Sequence, residues 1–155
     1  MVIRRLEEQD EVDGFDCGDG ALTNYLKRHA WINQQKVSIG VCYDAVDESA
    51  PRAVLGYFTL AMASLSREEF PRKYIRGLPP YADSIGAVGR RSTVCRSGVG
   101  HALISEALRI GLRAAEEVGC RCIVTDAYRD RISWYAKYGF VPIEGGERQL
   151  AENFS

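Results

Sequence analysis

A junction between a strand-like segment and a long amphipathic run constrains this chain more than any other stretch. Residues 88–100 read VGRRSTVCRSGVG, and the run HALISEALRIGLRAAEEVG follows at once. Gly98 and Gly100 let a ligand approach the backbone closely, and the first turn of a helix carries N–H groups without partners and the positive end of the dipole. Such a junction is typical of a phosphate site. The two glycines alone leave open whether they bind phosphate or only permit a tight helix entry, because Leu103 stands where a full dinucleotide motif has its third glycine.

Hydrophobic periodicity places this junction among alternating strands and helices. Strands are predicted at 2–6, 37–46, 53–65, 120–128 and 140–144, and over the segment that ends at Val94. Helices are predicted after the capping residue Asp19, from the glycine junction to Gly119, and over 129–139. The strands at 37–46 and 53–65 are expected to form a hairpin. This order of elements predicts an α/β (α+β) fold, a mixed sheet with helices on its faces, in a single domain over residues 1–155.

Two apolar stripes and two irregular segments complete the predicted elements. The first helix is expected to bury a stripe made of Leu22, Tyr25, Leu26, Ala30 and Ile32, with His29 close to it. The long helix is expected to bury Val99, Leu103, Ala107, Leu108, Gly111, Leu112, Ala115 and Val118. Residues 66–84 are rich in proline and charge and are predicted to form a long ordered loop beside a site. The tail after residue 144 is predicted to add a short edge strand or no element.

Composition and charge limit the class of protein. A chain of 155 residues with 46% apolar and 26% charged residues is typical of one soluble globular domain. No apolar run approaches the roughly 20 residues that span a bilayer, and the N-terminus lacks the apolar core of a signal peptide, so a cytoplasmic protein without a membrane segment is expected. The five cysteines are expected to be reduced thiols, and no metal site is predicted, since Cys120 and Cys122 match no zinc motif. The net charge of −1 argues against a chain-wide basic field for nucleic acid.

Three strings, in this order along the chain, resemble the Gcn5-related N-acetyltransferase superfamily: GYFTL at 56–60, the glycine junction, and SWYAKYGF at 133–140. A narrower set, FDCGDGALTNYLKRHA, GYFTLAMASLSREEFP, LPPY and VGRRSTV, resembles the acetyltransferase toxins of bacterial toxin–antitoxin pairs. The resemblance implies a mixed, mostly antiparallel central sheet with helices on both faces. It also implies an acyltransferase that acetylates the amino group of aminoacyl-tRNA, a ribbon-helix-helix antitoxin as a partner, and a homodimer.

By this resemblance the junction is an acetyl-CoA site. The backbone of Ser92, Thr93 and Val94 would pair with the pantetheine arm as an added strand does. The pyrophosphate would be held by N–H groups from Arg96, Ser97, Gly98, Val99, Gly100 and His101. Two departures from the family pattern are visible. Cys95 stands where the family has Gln or Arg, with Arg96 as the alternative one residue along, and the loop before the glycines is shorter than in the toxins.

Acetyl transfer to an amine needs a proton for the departing thiolate, and Tyr135 matches the tyrosine that the family places there. Tyrosine has an ordinary pKa near 10 and is therefore protonated at neutral pH. Two alternatives stay open: Tyr135 is a packed aromatic beside Trp134 and Tyr138, or Tyr128 is the acid. No general base is predicted, because Ile85–Val94 contains no Glu, Asp or His.

An RNA acceptor would require a basic surface beside the thioester. If the acceptor is tRNA, we expect the fold to gather the clustered basic residues Lys27, Arg28, Lys73, Arg76, Arg90 and Arg91. Such clusters are otherwise ordinary solvated faces. Two alternative functions stay open. One is a general N-acetyltransferase for a small-molecule or protein amine, and the other is a degenerate fold that acts as a binding module, which the short loop and Cys95 would fit.

Overall fold

The computed structural model describes residues 1–36, 40–49, 52–66, 84–94, 98–119, 122–143 and 148–151, and for 63–66, 84–94 and 148–151 it describes the backbone alone. Most of the predicted loop at 66–84 lies outside these residues, and so do Cys95, Arg96 and Ser97. The chain divides into two compact units, Met1–Ala61 with Arg91–Ala107, and Met62–Arg90 with Leu108–Ser155. The prediction of a single domain stays a prediction.

Three antiparallel strands organise the first unit: β1 (Val2–Arg5), β2 (Val41–Val46) and β3 (Val54–Ser66). The strand at 2–6 and the hairpin of 37–46 with 53–65 are thereby confirmed, although β2 begins only at Val41. Gly40 explains this start, because its φ of +136° is one that side chains rarely adopt and a Cβ there would lie 2.9 Å from the Leu60 carbonyl oxygen.

The first predicted helix is three helical pieces in a row: α1 (Gly20–Tyr25), a π-helical turn (Leu26–Ala30) and α2 (Trp31–Gln35). Asp19 caps α1 as predicted, because its Oδ1 accepts a hydrogen bond from the Leu22 amide at 3.0 Å.

The π-helical turn changes which side chains face the core. Leu26 and Ala30 are buried as predicted, but Ile32 is 51% exposed and His29 is exposed, so the predicted stripe is wrong at these two positions. The physical reason is that an i→i+5 turn uses more residues per turn than the 3.6 of an α-helix. Residues four apart therefore stay on one face, and Gln34 rather than Ile32 follows Ala30 toward the strands.

Tyr57 on β3 joins these helices to the core of the first unit. Its hydroxyl donates a hydrogen bond to the Leu22 carbonyl at 2.7 Å. Its ring lies parallel to that of Tyr25, with centroids 6.2 Å apart, and meets Phe15 edge to face at 5.7 Å. A buried aromatic side chain of this kind removes about 150–250 Å² of surface from water, and the polar end of Tyr57 has a hydrogen-bond partner.

Four strands follow: β4 (Ser84–Val94), β5 (Cys122–Asp126), β6 (Val141–Pro142) and β7 (Arg148–Ala151). β4 and β5 are parallel, while β7 pairs antiparallel with both β5 and β6. The tail therefore forms a strand, but the prediction of an edge position is wrong, since β7 lies between β5 and β6. The mixed, mostly antiparallel sheet with helices that the sequence predicts is confirmed.

The helix after the glycine junction, α3 (Val99–Val118), ends at Gly119, whose φ of +78° matches the predicted stop. Its buried residues include Val99, Leu103, Ile104 and Ala107, of which Ile104 was absent from the predicted stripe. At Gly111 the helix packs so closely on β5 that a Cβ would overlap the Ile123 side chain. The predicted burial is wrong at Leu112 (43% exposed) and Val118 (67% exposed), because small residues form the packed side of the last part of this helix.

The last helical piece is a 3₁₀ turn (Arg129–Arg131) followed by α4 (Ile132–Ala136), within the predicted helix at 129–139. None of the helices in the described part of the chain is both long enough and apolar enough to cross a membrane.

Candidate active site

The strand, glycine turn and helix predicted around residue 98 are present. β4 ends at Val94, Gly98 has a φ of +87°, and α3 begins at Val99. Gly98 is exposed, and no described atom lies within 4 Å of the position that a Cβ would take there. The left-handed conformation favours glycine, and the open space leaves room for a ligand at the backbone.

The first turn of α3 suits a negatively charged ligand. Val99 and Gly100 are buried while His101 is exposed, so the turn is anchored on one side and reachable on the other. No acidic residue stands in this turn. The free N–H groups of the first turn and the positive end of the dipole are therefore not offset by a carboxylate of the helix itself.

The end of β4 carries the three residues expected to pair with a pantetheine arm. The parallel ladder with β5 runs from the pair Ala87–Cys122 to the pair Arg90–Thr125. β4 itself continues to Val94 as extended backbone, and this continuation contains Ser92, Thr93 and Val94. Extended backbone is the form in which N–H and C=O groups can pair with an added linear ligand.

Tyr135 lies on α4, buried to 7% exposure between two aromatic rings. The Trp134 ring meets it edge to face with centroids 5.0 Å apart, and the Phe140 ring does so at 5.4 Å. The alternative that Tyr135 is a packed aromatic is therefore correct for its ring. Packing of the ring leaves the role of the hydroxyl untested, and the general-acid role stays a prediction, as does the alternative role of Tyr128, which is 56% exposed.

The C-terminal turn of α4 holds Tyr135 in place. Gly139 has a φ of +86°, its N–H donates to the Ala136 carbonyl at 3.2 Å, and the Phe140 N–H donates to the Tyr135 carbonyl at 3.4 Å. These two bonds and the contact between Phe140 and Tyr135 define a Schellman motif. The sequence Tyr-x-x-x-Gly-Phe is thus a helix stop that also positions the tyrosine ring.

The predicted basic residues are described only in part. Lys27 and Arg28 are both exposed, and they lie together with His29 on the π-helical turn. Arg90 and Arg91 belong to β4, where the backbone alone is described, and Arg76 is outside the described residues. The gathering of these cations into one surface stays a prediction.

A buried acid pair in the first unit was missed by the sequence analysis. Asp44 on β2 is 0% exposed, and the Nη1 of Arg4 lies 3.8 Å from its Oδ1. Arg4 binds Asp10 through two hydrogen bonds of 2.9 and 2.7 Å, and the Glu7 amide adds a third at 2.8 Å. The signal was a lone aspartate inside the apolar strand VCYDAV.

Burial and charge pairing give the carboxyls of Asp44 and Asp10 different protonation states at neutral pH. Burial and, second to it, the neighbouring Asp10 together raise the pKa of Asp44 to about 8. Burial alone would raise the pKa of Asp10 too, but hydrogen bonds from Arg4, Asp44 and the Glu7 amide hold it near 2. Asp44 is therefore the protonated member at neutral pH, which suits a carboxyl whose two oxygens accept no hydrogen bond in the structure. The same burial raises the pKa of the Cys42 thiol.

No protein-family model matches the chain. Among curated proteins, the chain is 26% identical over 142 residues to the tRNA-acetylating toxin of Mycobacterium tuberculosis. That alignment covers 88% of this chain and 82% of the relative.

Three solved structures of AtaT share the fold over nearly the whole chain. AtaT complexed with acetyl-methionyl-tRNAfMet has a TM-score of 0.87 at 25% identity and covers 97% of this chain and 94% of its own. AtaTR bound with AcCoA has a TM-score of 0.79 at 25% identity, covering 98% and 93%. A mutant AtaT toxin bound to the C-terminus of the antitoxin AtaR has a TM-score of 0.80 at 23% identity, covering 98% and 92%, and this last likeness shows the fold alone.

These comparisons define the class of fold as that of the Gcn5-related acetyltransferases. Within that class, the resemblance to the acetyltransferase toxins of toxin–antitoxin pairs is confirmed, with the toxin of Mycobacterium tuberculosis and AtaT as the similar proteins.

Proposed function

We propose that this chain is an acetyl-CoA-dependent N-acetyltransferase that acetylates the amino group of an aminoacyl-tRNA. The observation that carries the proposal is the similarity to AtaT, which extends over 97% of this chain to a protein complexed with acetyl-methionyl-tRNAfMet. The relative in Mycobacterium tuberculosis is a tRNA-acetylating toxin, which supports the same acceptor and a toxin role. In this proposal the enzyme is an acyltransferase and acetyl-CoA is the acetyl donor.

The glycine junction is the proposed site of acetyl-CoA. Gly98, with its open space, and the acid-free first turn of α3 support a pyrophosphate held by N–H groups from Arg96, Ser97, Gly98, Val99, Gly100 and His101. The continuation of β4 supports backbone pairing of the pantetheine arm with Ser92, Thr93 and Val94. AtaTR bound with AcCoA supports the same donor.

The proposed chemistry is direct attack of a neutral amine on the thioester carbonyl carbon. The new C–N bond forms, the C–S bond breaks, and the thiolate takes a proton from the Tyr135 hydroxyl. The phenolate then regains a proton from solvent, which also receives the proton that the amine loses. An α-amino group has a pKa of about 7.7–8.0, so much of it is neutral near pH 7.5 and no protein base is required.

The proposed acceptor surface includes Lys27, Arg28, Arg76, Arg90 and Arg91. Lys27 and Arg28 support it, because they are exposed side by side on one turn. No acidic residue lies between Gly20 and Lys36, so the whole helical segment is positively charged within a chain of net charge −1. Phosphate contacts made by such residues weaken strongly with added salt.

We further propose a ribbon-helix-helix antitoxin as a partner, a homodimer, and a cytoplasmic location. The antitoxin is supported by the fold shared with AtaT, which is bound to the C-terminus of AtaR in one of the similar structures.

Thermal unfolding with and without acetyl-CoA, on this protein and on His101→Glu, tests the donor site. A glutamate in the first turn suits a helix but repels a bound pyrophosphate. A ligand at 100 times its Kd adds about 2.7 kcal/mol, which is about 5–10 °C in Tm for a chain of this size. We expect this rise in the parent protein and little of it in His101→Glu. The matched control Leu112→Glu, exposed on the same helix about 16 Å away at 1.5 Å per residue, should keep the rise.

Incubation with acetyl-CoA and methionyl-tRNA then tests the acceptor. Acetyl-methionyl-tRNA as the product would support the proposal. Acetylation of small-molecule or protein amines without that product would favour the general N-acetyltransferase. A missing Tm rise in the parent protein would favour the binding module instead.

A further inference from the structure

Two partly exposed aromatic rings, Trp134 and Tyr138, contact each other beside the buried Tyr135. Trp134 and Tyr138 are four residues apart, which places them on the same side of α4 and its last turn. Their centroids are 4.9 Å apart and the rings are inclined by 55°. Both are partly exposed, whereas Tyr135 is 7% exposed and its ring contacts those of Trp134 and Phe140. The core accounts for Tyr135 and Phe140, but it does not fully cover the other two rings.

Exposed positively charged residues lie close to these rings in the sequence. Arg129, Arg131 and Lys137 are all exposed within ten residues of each other, and Asp130 is the one acidic residue between Tyr128 and Tyr138. Asp130 lies 3.9 Å from Arg131, but both side chains are more than 60% exposed, so the pair offsets little of the local positive potential. The segment carries a net charge of +2 in a chain of net charge −1.

Aromatic rings combined with exposed cations are the arrangement that binds single-stranded nucleic acid. Unpaired bases stack on aromatic side chains, while Lys and Arg contact the backbone phosphates. Stacking tolerates any base, since every base has a π-face.

We propose that Trp134 and Tyr138 form a stacking site for an unpaired nucleobase at the 3′ end of the acceptor RNA, with Arg131 and Lys137 contacting the adjoining phosphates. The proposal rests on the proposed function and specifies how the acceptor is held. Trp134 is a positioning residue: it holds the terminal nucleotide so that the aminoacyl ester on the same ribose presents its amine to the thioester.

Acetyl-CoA also contains a purine base, and the chemistry of stacking would be the same. The covalent separation between base and reacting atom favours the RNA base over the adenine of CoA. In the proposed chemistry the Tyr135 hydroxyl meets the thioester sulfur, and the adenine of CoA is separated from that sulfur by the pyrophosphate and the full pantetheine arm. The last base of the acceptor RNA is separated from the reacting amine only by one ribose and the ester. A base that stacks beside Tyr135 therefore belongs to the acceptor.

Fluorescence can report this contact directly, because the chain has only two tryptophans, Trp31 and Trp134. Trp31→Phe leaves Trp134 as the only reporter, and the matched variant Trp134→Phe leaves Trp31. The probes are the RNA tetranucleotide ACCA, the same ribose–phosphate tetramer without bases, and CoA alone. We expect ACCA to quench Trp134 emission saturably, and we expect neither the abasic tetramer nor CoA to do so. Trp31 emission should not change.

Three results would overturn the proposal: no quenching of Trp134 at ACCA concentrations that saturate binding, equal quenching by the abasic tetramer, or quenching by CoA without RNA. The last would assign the rings to the donor. Trp31 packs partly against the core, so the unsubstituted protein labelled with 5-fluorotryptophan serves as a second measurement. There a shift of the Trp134 fluorine resonance on adding ACCA supports the proposal, and its absence at saturation overturns it.

Kinetics separate stacking from a merely structural role. Trp134→Ala and Tyr138→Ala should each raise KM for aminoacyl-tRNA about 10-fold, with Trp134→Phe losing less because it keeps a ring. The Tm rise given by acetyl-CoA should be the same in all three variants. A fall in kcat with KM unchanged would contradict the proposal.

The stacking site and the proposed function can be contradicted separately. If the parent protein acetylates aminoacyl-tRNA while Trp134 emission is not quenched, the stacking proposal is wrong and the proposed function is supported. If ACCA quenches Trp134 emission but no aminoacyl-tRNA is acetylated, the stacking proposal is supported and the proposed function is wrong.

Discussion

Tyr135 and Phe140 are joined twice, by a hydrogen bond from the Phe140 N–H to the Tyr135 carbonyl at 3.4 Å and by an edge-to-face contact of their rings at 5.4 Å. Gly139 makes both contacts possible, because its φ of +86° turns the chain back over α4. The stop of the helix and the position of the proposed acid are therefore one structural feature.

Gly139→Ala tests this link. No described atom lies within 4 Å of the added Cβ, so the cost is backbone strain of about 1–2 kcal/mol in the free energy of unfolding. We also expect a lower kcat, since relief of the strain moves the Tyr135 ring. Chemical denaturation and acetylation assays measure the two effects.

Gly14→Ala is the control for this prediction. A Cβ at Gly14 also has open space around it, but Gly14 has no left-handed φ, so this variant should change neither the free energy of unfolding nor kcat appreciably. Equal stability of both variants would refute the role of Gly139.

Tyr135→Phe tests the general acid while it keeps the ring packing. A positioned acid contributes about 100-fold or more to the rate, so kcat should fall by about that factor, with the KM for acetyl-CoA unchanged. The Tm should stay close to that of the parent protein, because Trp134 and Phe140 keep their contacts with the ring. Tyr128→Phe serves as the comparison. If it lowers kcat and Tyr135→Phe does not, Tyr128 is the acid.

Asp44→Asn tests the shared proton of the buried pair. The pKa of Asp44 is raised in the folded protein to about 8, so this group stabilises the fold fully below its unfolded pKa near 3.9. That contribution declines as the pH rises from about 4 to about 8. Asparagine stays neutral and can donate to the Asp10 carboxylate in place of the proton. The Tm of the variant relative to the parent protein should therefore increase between pH 5 and pH 8.

The exposed Asp13→Asn is the control for this pH series, since it removes a carboxylate of the same type from a solvated position. Its Tm difference from the parent protein should vary little over the same range. A flat difference for Asp44→Asn as well would mean that Asp44 is ionised in the folded protein.

Gln34→Ala tests the attachment of the helical segment to the strands. The Gln34 side chain donates to the Leu6 carbonyl at 2.8 Å and accepts from the Cys42 amide at 2.9 Å. Its loss leaves two backbone groups unsatisfied, so we expect the free energy of unfolding to fall by about 2–3 kcal/mol in denaturant titrations. The neighbouring Gln35 is exposed, and Gln35→Ala should cost less than about 0.5 kcal/mol. Similar costs at both positions would argue against the attachment.

The features that the sequence predicted well depend on short-range chemistry. The Asp19 cap, the stops at Gly119 and Gly139, the hairpin of β2 with β3 and the glycine turn before α3 each follow from a few neighbouring residues, and each is present. The proposed donor site rests on the same kind of local pattern.

The features that sequence reasoning missed depend on residues distant along the chain. Ile32 is exposed because the π-helical turn keeps Gln34 facing Leu6 and Cys42, and no local periodicity contains that preference. Asp44 is an isolated charge in an apolar strand until Arg4 and Asp10 fold against it. The sequence by itself therefore determined the order of most helices and strands and several of their ends, through caps, glycines and alternation. Only the tertiary structure decided which faces are buried and which carboxyl holds a proton, because burial and charge pairing are properties of neighbours that meet on folding.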